Sequence, residues 1–338
     1  MPKPTDTSDG ICSAQSHEQK TLLAGVVARA LAVFCVDEVV IFEDEVRPGR
    51  TRHMNELNTD EYTGFLDPSH FLAHLLAYLE TPPYLRRQLF PMHPNLRTAG
   101  TLPSLDMPHH LRANEWCDYR EGVVVSENGE NALINNVNDS NGLKKRKGRE
   151  KGTDKPSTKK RILVDMGFGK IQLSDHEIPE NTRVTMKFMS RDNPEEGAEP
   201  VDPAAPRVEA GYYWGYTVRR CSSISSVFTE CPFDGGYDLS FGTSERGSSV
   251  SSILAEQGPS IPKYSHLLVA FGGVAGIEAA VASDQDLLDK ALAPEDAAKL
   301  FDYWVNVLPG QGSRTIRTEE AVWLGLMALK GVVDRNGR

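Results

Sequence analysis

Apolar spacing along the chain changes twice, and each change predicts a different architecture. Residues 21–45, "TLLAGVVARALAVFCVDEVVIFEDE", begin rich in Ala and Leu and end in a β-branched run with Phe34 and Phe42, which predicts a helix feeding directly into a strand. Residues 44–67 are polar and charged, long for a connection inside a compact domain. Asp67-Pro68-Ser69 then opens "HFLAHLLAYLE" (70–80), apolar at helical spacing until Pro82-Pro83 ends it, and "YLRRQLF" makes a second short helix before Pro91.

From about 91 to 208 the helical spacing gives way to short β-type runs, "EGVVV" (121–125), "ILVDMG" (162–167), "KIQLS" (170–174) and "RVTMKFM" (183–189), separated by turns rich in Gly, Asn and Pro. This predicts a small antiparallel barrel or sandwich, an OB-like barrel being one candidate, inserted into an α/β chain. The acidic, Pro-rich "RDNPEEGAEPVDPAAPR" (191–207) reads as the linker back. After 211, "YYWGYTVR", "YDLSFG" and "HLLVAFGG" are strand-like, while "SSISSVFTE", "AGIEAAVAS" and the long amphipathic "TEEAVWLGLMALKGVV" are helical. Strands leading through Gly-bearing loops into helices predict a parallel sheet with crossovers, whose ligands sit at the carboxyl ends of the strands. The expected division is an N-terminal extension 1–20, α/β parts 21–90 and 209–338, and an inserted β domain 91–208.

Composition, 39% hydrophobic and 25% charged over 338 residues, is that of a globular chain with room for two domains. The longest apolar stretch, Leu22 to Val36, is broken by Gly25 and Arg29 and falls short of the roughly 20 residues a bilayer crossing needs, so no membrane partner is expected. The start, "MPKPTDTSDG", holds no signal-peptide core. Five scattered cysteines without a C-x-x-C pair argue against a disulfide framework or zinc ribbon and for a reducing compartment. His93, His109 and His110 supply no closed ligand spacing, and no metal is expected.

Charge alters this picture at one place. The net −10 hides residues 144–161, "KKRKGREKGTDKPSTKKR", where ten Lys/Arg stand against Glu150 and Asp154. That run is either a nuclear-import or RNA-phosphate patch or a solvated basic loop.

Three segments fall at the ligand-binding edge of the sheet: "FGTSERG" (241–247), "FGGVAGIE" (271–278) and "LPGQGSRTIRTEE" (308–320). Each combines glycines, which admit close backbone approach, with small hydroxyl residues and charges. Singly, such glycines could only end a strand or seat a helix; three on consecutive units could line one pocket. The G-x-G-x-x-G dinucleotide fingerprint, the Walker motif, H-E-x-x-H and G-x-S-x-G are all missing. Loops without a phosphate-gripping lysine suit a ligand held through backbone amides and carbonyls, such as an adenosine moiety.

Together "YDLSFGTSERG", "HLLVAFGGVAGIEAAV" and "PGQGSRTIRTEEA", preceded by "GYYWGYTVR" and "ARALAVFCVDEVVIFEDE", resemble the SPOUT-class RNA methyltransferases of archaea and eukaryotes. The likeness covers nearly the whole chain outside 1–20 and the basic loop. It implies an α/β fold with a SPOUT-type parallel sheet, a C-terminal deep trefoil knot and an inserted OB-like barrel. It also implies a homodimer joined through the knotted domain that binds S-adenosylmethionine and acts on RNA. Family members open with a strand before the first helix, whereas "TDTSDGICSAQSHEQK" contains no β run.

Carried over by position, the cofactor loops of that family fall on Gly242, Thr243 and Gly247, on Gly272 and Gly273, and on Leu308, Gly312, Ser313, Thr315, Ile316 and Thr318. Helix physics alone also favours Thr318, as an N-cap before Glu319 and Glu320. Glu245, Arg246 and Arg314 are the candidates beside the reacting base: an arginine to stabilise a deprotonated imide, a carboxylate to accept its proton. A Glu245–Arg pair that only braces the loops is the rival reading. Tyr212, Tyr213, Trp214 and Tyr216 divide between core and stacking roles, and Phe168 and Lys170 would join the basic loop in a single-strand RNA surface. The expected function is base methylation, at uridine N3, in ribosomal or other structured RNA, in the nucleus or nucleolus with the cytoplasm as a second location. A knotted RNA- or complex-binding scaffold without turnover is the alternative.

Overall fold

The computed structural model describes residues 14, 16–44, 61–125, 162–173, 177–194, 196–257, 261–273 and 275–337. The basic run 144–161, most of the polar stretch 44–67 and all but the last residues of the expected N-terminal extension, with its first-strand question, lie outside them.

The chain opens with α1 (His17–Val33), β1 (Glu38–Phe42) and α2 (Pro68–Glu80), then continues through α3 (Arg86–Leu89), β2 (Tyr119–Val125), β3 (Ile162–Asp165), β4 (Lys170–Leu173), β5 (Arg183–Lys187), β6 (Glu199–Val201) and α4 (Ala205–Ala210). It returns with β7 (Thr217–Cys221), α5 (Ile224–Thr229), β8 (Leu239–Ser249), α6 (Val250–Gln257), β9 (Leu267–Ala270), α7 (Ile277–Ser283), α8 (Gln285–Asp289), β10 (Tyr303–Asn306) and α9 (Thr318–Asn336). Two compact units result. One takes the chain up to Glu80, Met92–Leu105 and everything from Gly215; the other takes Thr81–Pro91 and Asp106–Trp214. Residues 92–105 belong to the first because Asn95, fully buried, exchanges hydrogen bonds with Thr63.

The first unit is mixed α/β with parallel sheets. β1 pairs with β7 in parallel, from Glu38↔Thr217 to Phe42↔Cys221, and β10–β8–β9 form a second parallel sheet. Helix α1 starts at His17 because the Ser16 hydroxyl accepts from the Gln19 amide (3.1 Å). At the head of α2 the Asp67 carboxylate accepts from the His70 amide (2.9 Å) and from Arg220 of β7 (3.0 Å), fixing that helix to the sheet. One core, around Leu239, Phe241, Val305, Leu329 and Val332, seats α9 on the three-stranded sheet; another, around Ile224, Ile277, Val281 and Phe301, backs its far side.

Within α2, His74 makes a long contact with Asn95 (3.4 Å), and its ring lies 4.7 Å from that of His93. Burial, then the charges of His93 and His70, lower its pKa from 6.5 to about 4. Below pH 6.5 the unfolded chain therefore takes up a proton that the native state refuses, so stability present above that pH is lost as pH falls toward 4. Thermal melts should record this fall, and His74→Leu should flatten it; an equal slope in the variant would place the acid sensitivity elsewhere.

The second unit is an antiparallel sheet of order β4–β3–β2–β5–β6. Its core gathers Val124, Val164, Ile171, Met186 and Phe188, and burial alternates along β3 and β4 as the period of the β runs predicts. Two expectations change here. Residues 191–207 are not all linker, since "EPV" pairs as an edge strand, where Pro200 is tolerated, and α4 follows directly. In "YYWGYTVR" only the part from Thr217 is strand; Gly215, at φ 96°, ends the irregular stretch before it.

Candidate active site

All three glycine-bearing segments leave the parallel sheet on its carboxyl side, and specific contacts draw them together. β8 pairs with β10 at Phe241↔Tyr303 and Gly242↔Trp304, then resumes at Ser248↔Val305 and Ser249↔Asn306. The register with β10 thus skips residues 243–247, and "TSERG" bulges out within β8. A methyl group on Gly242 would lie 2.5 Å from the Trp304 ring, and one on Gly247 would lie 2.3 Å from the carbonyl carbon of Val305. Thr243 Oγ1 donates to the Ala270 carbonyl at the end of β9 (2.8 Å), and Asn306 Nδ2 at the end of β10 donates to the Glu245 carbonyl (2.9 Å). The first segment is thereby tied to both neighbouring strands.

In the second segment the chain turns sharply, Gly276 N–H donating to the Gly273 carbonyl (3.0 Å) with Gly276 at φ 79°. A methyl on Gly272 would lie 2.5 Å from the Ile277 nitrogen, and one on Gly273 would lie 2.9 Å from Asp44 Oδ2. Glu278, in the first turn of α7, accepts a long hydrogen bond from Ser244 (3.5 Å) and stands 3.8 Å from Arg246.

The third segment begins where Asn306 Oδ1 accepts from the Leu308 amide (3.0 Å), and it turns at Gly310 (φ 74°). It closes where the Thr318 hydroxyl donates to the Gly272 carbonyl (3.4 Å). The expectation that Thr318 caps α9 is corrected: Arg317 is the N-cap and Thr318 is the first helical residue. Glu320 reaches back to the Arg317 amide (3.0 Å), which leaves the Thr318 hydroxyl for the second segment. Further along α9, Gly325 admits the Phe271 ring, which a methyl there would approach to 2.5 Å.

Gly242, Thr243, Gly247, Gly272, Gly273 and Thr318 are therefore brought together, with Leu308 exposed at the start of the last loop. Gly312, Ser313, Arg314 and Thr315 lie exposed on the outer turn of that loop and Ile316 is half-buried; Arg314 has no hydrogen bond or ion pair with another described residue. Glu245 and Arg246 are exposed on the bulge of β8. Asp44, Glu278 and Asn306 complete the site without having been singled out. Glu278 lay inside the quoted "FGGVAGIE"; nothing in the sequence brings Asp44 to Gly273.

Elsewhere, Tyr216 is buried and donates to the Leu76 carbonyl (3.1 Å), Trp214 donates to Glu121 (2.6 Å), and Tyr212 is exposed. Phe168 is 42% exposed, with the Arg120 guanidinium 4.9 Å from its centroid. Among the described residues no group of three or more His, Cys, Asp or Glu side chains is arranged to hold a metal, and no helix is long and apolar enough to cross a membrane.

A family model described as "Putative RNA methyltransferase" matches residues 7–329. A 28S rRNA (uridine-N(3))-methyltransferase of Homo sapiens is 39% identical over 334 residues, which cover 96% of this chain and 77% of that protein. The protein of the same description from Mus musculus is 40% identical, covering 94% and 73%, and that from Drosophila melanogaster 37% identical, covering 94% and 59%.

Proposed function

Because the chain belongs to this RNA methyltransferase family, we propose that it transfers a methyl group from S-adenosylmethionine to a base of structured RNA, uridine N3 of ribosomal RNA being the target. The convergence of the three glycine segments carries this reading, and the relatives named for that reaction support it. The finer architecture we propose is of SPOUT type, with 308–317 threading α9 into a deep trefoil knot and the antiparallel unit forming an OB-like barrel. The return of Thr318 to Gly272 supports the first part.

The site fits the donor. Among the described residues nothing lies within 4 Å of a side chain built on Gly310 or Gly312, and the exposed Ser313 and Thr315 add hydroxyls beside that open backbone, a set suited to adenosine and amino-acid groups. When bound, S-adenosylmethionine supplies an electrophilic methyl group on its sulfonium. The chain's own part is to orient the base in line, to exclude water, to stabilise the imide anion through Arg246 and Arg314, and to take the N3 proton on Glu245.

Phe168 and Lys170, with the run 144–161, would contact RNA, and that run would direct the protein to the nucleus or nucleolus. We further propose a homodimer, supported by exposed apolar side chains on α1 and α9 such as Leu22, Val26, Met327 and Val333. Sedimentation should return twice the 37.3 kDa chain mass, and a monomer at micromolar concentration would remove the dimer.

Calorimetry with S-adenosylmethionine, then transfer of labelled methyl to RNA from cells lacking the protein with the nucleotide mapped, tests the function. Binding without transfer would identify a scaffold; no binding would remove the proposal.

A further inference from the structure

Glu319, the second residue of α9, is 4% exposed, and its Oε2 has no hydrogen-bond partner among the described residues. Buried carboxyl oxygens are seldom left so, and each exception asks for a cause. Its two neighbours are both engaged by the protein: Thr318 bonds Gly272, and Glu320 satisfies the Arg317 amide. The helix start is therefore capped without Glu319. The core has no use for it either, because Val322, Leu329 and Val332 supply the apolar contacts of α9. What its position offers is proximity to the junction of the second and third segments, one residue from the Thr318–Gly272 bond.

We propose that Glu319 belongs to the methyl-donor site, its Oε2 accepting from a hydrogen-bond donor of the bound molecule, either the vicinal ribose hydroxyls or the α-ammonium group. This rests on the reading of the three segments as that site. An oxygen left unsatisfied in the ligand-free protein and paired only in the complex weakens the first state and favours the second, a trade between stability and binding common at functional sites.

The test is Glu319→Met, which keeps the length of the side chain and removes both oxygens, with Glu319→Gln, which keeps one. Without ligand, Glu319→Met should melt about 1–3 °C higher than the unaltered protein. Calorimetry should show its affinity for S-adenosylmethionine reduced about tenfold or more, with Glu319→Gln between the two. Adenosine and L-methionine as separate probes distinguish the partners: a loss confined to adenosine assigns the ribose, and one confined to methionine the ammonium group. A lower ligand-free melting temperature in Glu319→Met, or affinity within twofold of the unaltered protein, overturns the inference. Absence of binding to the unaltered protein overturns the donor-site reading and this inference with it; binding that survives the substitution overturns this inference alone.

Discussion

Gly247→Ala should leave the protein unable to bind S-adenosylmethionine and should lower its melting temperature. The new methyl group would lie 2.3 Å from the Val305 carbonyl carbon and 2.7 Å from the Asn306 nitrogen, both backbone atoms of β10 that no rotamer change can move aside. Either β10 shifts or residues 243–247 withdraw from it. Both outcomes break the resumed pairing at Ser248↔Val305, and with it the geometry that lets Asn306 hold the Glu245 carbonyl and the Leu308 amide at once. Overpacking of this kind costs about 2–3 kcal/mol, and the donor affinity should fall at least a hundredfold because two of the three segments lose their anchor.

Gly312→Ala supplies the contrast. No described residue lies within 4 Å of a methyl group there, so its melting temperature should match the parent, and any loss of affinity would report only on how closely the ligand approaches the outer loop. Calorimetry and thermal melts on both variants decide the matter. Parental melting and binding in Gly247→Ala would mean that the loop yields and does not shape the site.

How far the sequence reveals this site depends on the range of the contacts involved. Alternation made β3 and β4 legible because one face of each is buried, and glycines marked the first two segments because a side chain at Gly242, Gly247 or Gly272 would strike its neighbours. The four-residue β10 escaped notice: "YWVN" is too short to show a period, and its identity as a strand comes from pairing with Phe241 and Gly242. The interruption of β8 is hidden for the same reason, since "SFGTSERGSS" contains no sign of which residues β10 skips. Glu278 meets Ser244, 34 residues away, and Asp44 meets the second segment from β1's exit, so neither role exists until the fold is formed. At Thr318 local logic failed outright, because a hydroxyl suited to capping is engaged by a carbonyl 46 residues distant.

Arg246→Ala should reduce methyl transfer by about 10²–10³-fold while donor affinity stays within about twofold and the melting temperature is unchanged. Magnitudes separate this from the bracing role an Arg–carboxylate pair would otherwise suggest. The Arg246 side chain is 74% exposed and its nitrogen stands 3.8 Å from Glu278, and a pair so exposed and so long contributes about 0–1 kcal/mol at most. The 243–247 bulge of β8 is held instead by Thr243 to Ala270 and by Asn306 to Glu245, neither of which involves Arg246. Removing the guanidinium therefore leaves the segments in place and deletes only an exposed positive charge beside the site, where an imide anion would need it. Arg246→Lys should recover little, because a point charge on a flexible stem does not reproduce the planar fork. In the same assay Glu278→Gln, which loosens the hold on Arg246 but leaves its charge, should cost far less than Arg246→Ala. Full transfer by Arg246→Ala, or equal losses of stability and rate, would return Arg246 to the role of a brace and leave Arg314 as the remaining arginine for the anion.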